Sequence, residues 1–87
     1  MILGMYSIKD AKTGYMTPVL EQNDAVALRN FAHAVNQPDS IMYDHPNDFR
    51  LVCVAKFDTD SGVVSQSAER IFEPVSICEA SEVLRNG

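Results

Sequence analysis

Two stretches of the chain spell the same turn: Ser7-Ile8-Lys9-Asp10-Ala11-Lys12-Thr13-Gly14-Tyr15-Met16 and Ala55-Lys56-Phe57-Asp58-Thr59-Asp60-Ser61-Gly62-Val63-Val64. Each runs from apolar residues into Asp-x-x-(Thr or Ser)-Gly and back to apolar residues. Asp accepts hydrogen bonds from backbone N–H groups two or three residues on, Thr and Ser do so more weakly, and Gly supplies the positive φ that a type I turn with a bulge requires. Each copy therefore predicts two antiparallel strands on a short loop. The first hairpin spans residues 2–9 and 15–20, the second residues 49–58 and 63–67. Pro18 has no N–H to donate, so its strand is an edge or pairs only briefly.

Within residues 49–57, period-2 alternation puts Phe49, Leu51, Cys53, Ala55 and Phe57 on the core side. Arg50, Val52, Val54 and Lys56 then form a mixed face, partly covered or used for contact. Between the hairpins lies the clearest helix. Asn23 caps it, Asp24 suits its positive end, and Ala25, Leu28, Phe31, Ala32 and Val35 form its apolar stripe. Pro38 disfavours helix at Gln37, so the helix ends near Asn36. A loop over residues 37–48 carries Ile41, Met42 and Tyr43 as anchors to the core. Ser76-Ile77-Cys78-Glu79 reads as a capping box for a short helix over residues 77–85, with Ile77, Ala80 and Leu84 on one side. The expected fold is α+β in ββαββα order. Two β-hairpins form an antiparallel sheet, the central helix packs on one face, and a short C-terminal helix follows.

The 87 residues fit a single domain, 1–87, and exclude a large cofactor fold. An apolar share of 46% with 22% charged residues is that of a globular chain. Twelve acidic against seven basic residues give a net charge of −5, which excludes a strongly basic nucleic-acid binder but not a local basic patch. The apolar N-terminus lacks a basic leader and is too short to span a bilayer, so no membrane association is expected. Cys53 and Cys78 form no metal-spacing motif and read as free thiols in a reducing cytoplasm.

Asp58-Thr59-Asp60-Ser61-Gly62 starts like a calcium loop, but its Gly is one position early and the fifth ligand slot is empty. His33 and His45 fall on a helix and in a loop and make no metal pair. There is no phosphate loop, nucleophile elbow or C-x-x-C. No cofactor, no metal and no enzymatic activity are expected. Cations and aromatics leave another signal. Lys9, Lys12 and Tyr15 surround the first loop, Arg50 and Lys56 share the mixed face of residues 49–57, and Arg70 follows the second hairpin. Single-strand binders combine basic grooves with aromatic platforms on sheets, so these six residues are the candidate nucleic-acid contacts.

Several blocks carry a family likeness. They are Tyr6-Ser7-Ile8, Asp10-Ala11-Lys12-Thr13-Gly14, the run from Gln22 to Phe31, Ala34-Val35-Asn36, Pro38-Asp39-Ser40, His45-Pro46-Asn47-Asp48-Phe49, Lys56-Phe57-Asp58 and Ser61-Gly62. In order and spacing they resemble the small nonstructural protein of gokushovirus-like microviruses, icosahedral phages with circular single-stranded DNA genomes. The likeness covers about residues 5–64 and brings no catalytic residues. It implies a nonstructural, DNA-binding protein acting in single-stranded DNA synthesis or packaging in the cytoplasm of the bacterial host cell. The implied partners are single-stranded DNA and phage or host replication or packaging proteins. The alternative is an acidic protein–protein adaptor without DNA contact; a DNA-mimicking inhibitor is a third reading. Unpaired hairpin edges favour a homodimer.

Overall fold

The computed structural model describes residues 1–65 and 75–85. Its centre is a long antiparallel pair between β1 (Ile2–Asp10) and β4 (Phe49–Asp58), running from Ile2 opposite Asp58 to Asp10 opposite Phe49 with one shift of register on the way. Each of these strands opens one hairpin, and each hairpin returns in two pieces. On the outer edge of β1 lie β2 (Gly14–Tyr15) and β3 (Val19–Glu21), separated around Pro18. On the outer edge of β4 lie β5 (Val64–Ser65) and β6 (Val75–Glu79). The end of the expected second return strand, residues 66–67, falls outside the described residues.

Both hairpin loops form as their composition demands. Gly14 and Gly62 have φ of +106° and +75°. The Asp10 carboxylate accepts the Lys12 N–H at 2.9 Å, and the Asp58 carboxylate accepts that of Asp60 at 2.9 Å. The Asp60 N–H, followed by the Ser61 hydroxyl and N–H, holds the Asp58 carboxyl below the ordinary carboxylate range.

Helix α1 (Asp24–Val35) starts and stops where expected, with the Asn23 side chain accepting the Val26 N–H at 2.9 Å. Its buried stripe is turned from the expected one. Ala27, Phe31 and Val35 are buried, Leu28 is only partly so, and Ala25 is exposed. Residues 37–48 hold α2 (Ile41–Asp44) and a 3-10 turn at Pro46–Asp48. Met42 alone of the three expected anchors is buried; Ile41 and Tyr43 face outwards.

The C-terminal reading needs correction. Ser76, Ile77 and Cys78 lie in β6, and the helix α3 (Ala80–Val83) starts only after them, capped by a Glu79–Glu82 box rather than by Ser76. The outer edge of β4 at Arg50–Cys53 would otherwise leave backbone groups unpaired, and residues 75–79 satisfy them. Among the described residues the element order is thus βββαα, a 3-10 turn, then βββα, an elaboration of the expected plan.

Strand β4 also breaks the expected alternation. Met5 pairs with Ala55 but Tyr6 pairs with Cys53, leaving Val54 as the extra residue of a bulge. Phe49, Leu51 and Cys53 therefore share the helix-covered face with Tyr6 and Ile8, whereas Ala55 and Phe57 fall on the opposite face with Leu3 and Met5. The core under α1 joins Tyr6, Phe31, Val35, Phe49, Leu51 and Ala80. The far face is buried at its centre too, with Val52 and Ser7 each 3% exposed and the Ser7 hydroxyl donating to the Met16 carbonyl at 2.5 Å.

Candidate nucleic-acid interface

Three of the six candidate residues form one row across the sheet. Lys9 on β1 lies directly opposite Tyr15 of β2 on one side and Arg50 of β4 on the other, and Arg50 lies opposite Glu79 of β6. Directly paired residues share a face, so Tyr15, Lys9, Arg50 and Glu79 line up on the side away from α1. The first hairpin turn sets this row. The Asp10 carboxylate and the positive φ of Gly14 fix the turn so that Tyr15 comes back beside Lys9. The Ala11 N–H donates to the Asp48 carbonyl at 2.8 Å, which ties the turn to the start of β4.

The Lys9 Nζ sits 5.4 Å from the Tyr15 ring centroid, a cation–π contact worth about 0.5–1 kcal/mol at an exposed position. Tyr15 is 49% exposed and Arg50 is exposed. Like charges directly opposite one another in a sheet destabilise it, so the Lys9–Arg50 pair favours an anion between or above the two. Among the described residues the only ion pair joins the Met1 amino group to Asp60 at 3.1 Å. No described carboxylate is thus in ion-pair contact with Lys9, Lys12 or Arg50. A small depression at this end of the sheet is lined by Lys9, Asn47, Arg50, Asp48 and Glu79, so the row mixes both signs of charge.

Lys12 is exposed in the turn next to the row. Lys56 is not part of it. The bulge at Val54 and the pairing of Lys56 with Gly4 put Lys56 on the helix side, in a depression with Ile2, Asn23 and Asp24. The expected sharing of one face by Arg50 and Lys56 fails for that reason. Arg70 lies outside the described residues. Glu79 was not legible as a member, because its segment reads as helix until β4 is known to be its partner.

Cys53 and Cys78 are free and buried. Burial, then the Glu82 carboxylate, pushes the Cys78 thiol up to about 11. Among the described residues no three His, Cys, Asp or Glu side chains converge as metal ligands, and no helix is long and apolar enough to cross a membrane.

A family model described as phage ORF5 protein matches residues 3–83 of the chain. No curated protein and no solved structure matches it.

Proposed function

The chain belongs to the phage ORF5 protein family, and from that premise we propose a phage accessory protein that contacts viral single-stranded DNA during its synthesis or packaging. The observation that carries the proposal is the row Tyr15–Lys9–Arg50. An exposed ring beside two cations offers a base a face to stack on and its flanking phosphates a counter-charge. The resemblance of the chain's sequence blocks to the nonstructural protein of single-stranded DNA microviruses supports the same reading, and the proposed action is in the cytoplasm of the infected bacterium. The contact is small. With Lys9, Lys12 and Arg50 each meeting one phosphate, log K falls against log salt with a slope of about −2, at roughly 0.7 per phosphate.

The net charge of −5 supports a second reading, an adaptor for replication or packaging proteins without DNA contact. Fluorescence anisotropy with a single-stranded oligonucleotide at two salt concentrations, and a duplex as control, separates the two. Lys9→Glu and Arg50→Glu should each abolish binding. Tyr15→Ala should weaken it by about 1–3 kcal/mol, and Lys56→Glu, on the opposite face, should leave it nearly unchanged. Absent binding at low salt, or binding indifferent to Lys9→Glu and Arg50→Glu, leaves the adaptor.

A further inference from the structure

A groove runs between α1 and the β1–β3 pair, on the face of the sheet opposite the Tyr15–Lys9–Arg50 row. It encloses about 140 Å³, with Ala27, Phe31 and Ala34 on the helix wall and Ile8, Val19 and Leu51 on the sheet wall. Its rim is polar: the Asn30 side-chain amide donates to the Glu21 carboxylate at 2.7 Å. Strand β3, which borders it, is an edge strand. Its inner side pairs with Gly4–Tyr6, and its outer side has no strand partner among the described residues. Val19 and Leu20 on it are 56% and 43% exposed.

We infer that this groove docks an extended, basic segment of a partner protein, which adds to β3 as a further strand and inserts an apolar side chain beneath α1. An unpaired edge holds its N–H and C=O groups in an extended row, a ready template for strand addition. Alternate side chains of the added strand point to one face, so every second residue faces the groove. An apolar cavity of about 150 Å³ takes up a benzene ring, so the space here suits one aliphatic or aromatic side chain. Charge selects the occupant. Among the described residues Glu21 is the one charged residue lining the groove, and a Lys or Arg of the added strand complements it. A nucleic acid would bring phosphates against that carboxylate. A second copy of this chain would bring its own net charge of −5.

The test is selection of a random nine-residue peptide library on the whole protein, followed by titration of enriched peptides into the ¹⁵N-labelled chain. Enriched peptides should alternate aliphatic or aromatic residues with at least one Lys or Arg. They should shift the amides of Val19, Leu20, Glu21 and the 27–34 stretch of α1 and leave those of Lys9 and Arg50 in place. N-methylation of alternate peptide amides should abolish binding without any change to the protein, and Glu21→Gln should weaken it about two- to fivefold, the reach of one exposed charge pair. The inference is overturned if no peptide is enriched, if the shifts map elsewhere, or if N-methylated peptides bind equally well. A dimer in sedimentation equilibrium that protects the same amides also overturns it, by giving the groove to a second copy.

Discussion

Tyr6 ties the sheet to the first turn of α1. Its ring is buried and its hydroxyl donates to the Asp24 carboxylate. Gly4, two residues earlier on the same face, lies against that ring, and a Cβ built there would collide with it. Gly4→Ala must therefore push Tyr6 out of its place in the core. The expected cost is about 1–3 kcal/mol, the usual range for overpacking, read as a lower urea midpoint with an unchanged m-value. Tyr6→Phe keeps the ring and loses the hydrogen bond. Because Asp24 is exposed and regains water, its cost should be smaller, about 1 kcal/mol. A Gly4→Ala variant as stable as the parent would show that the ring can shift without loss.

At the scale of elements, α1 contributes most through Phe31, which is 3% exposed. Phe31→Ala should cost about 3–5 kcal/mol, and the half-buried Leu28→Ala about 2 kcal/mol or less. Thermal melts showing equal losses would contradict the observed rotation of the stripe. The end of the same helix holds the C-terminal segment. The Asn36 side chain donates to the carbonyls of Ala32 and Val83 at 2.7 and 2.9 Å and accepts the Arg85 N–H at 2.7 Å. Asn36→Ala removes all three bonds at once. Hydrogen exchange should speed up at Arg85 and in α3 while the β1–β4 ladder keeps its protection. In the hairpins, Gly14→Val and Gly62→Val should each cost about 1–3 kcal/mol, the strain of a non-glycine residue at positive φ. No Cβ contact lies within 4 Å at either site, so that loss would be conformational and not steric.

Across the whole molecule, two buried acids make stability depend on alkaline pH. Burial and the Asp24 carboxylate raise the Tyr6 phenol above its ordinary 10.0, and burial and Glu82 raise the Cys78 thiol from 9.0 to about 11. The unfolded chain loses these protons first, so above pH 9 it binds fewer protons than the folded chain, and stability falls as pH rises. The contribution is whole below the unfolded values and is lost through the folded ones. Urea midpoints at constant ionic strength should thus decline between pH 9 and about 11, and Cys78→Ala should flatten that part of the slope. A midpoint rising over this window would reverse the assignment.

What the sequence determined by itself is what residues within one turn of each other can settle. The Asp-x-x-(Thr or Ser)-Gly loops, the Asn23 cap and the end of α1 near Asn36 depend on backbone angles and hydrogen bonds spanning a few positions, and all are present. The limits of β4 were legible as well, since turn residues bound it on both sides. What only the tertiary structure decided needs a partner strand. Residues 76–79 suit a helix stripe as well as a strand, and the free edge of β4 chose the strand. The bulge at Val54 exists only against β1, and it turned Lys56 away from Arg50. The row of Tyr15, Lys9 and Arg50 likewise arises where a local turn meets the pairing of two distant strands, because register across a sheet is set by contacts between segments far apart in the chain.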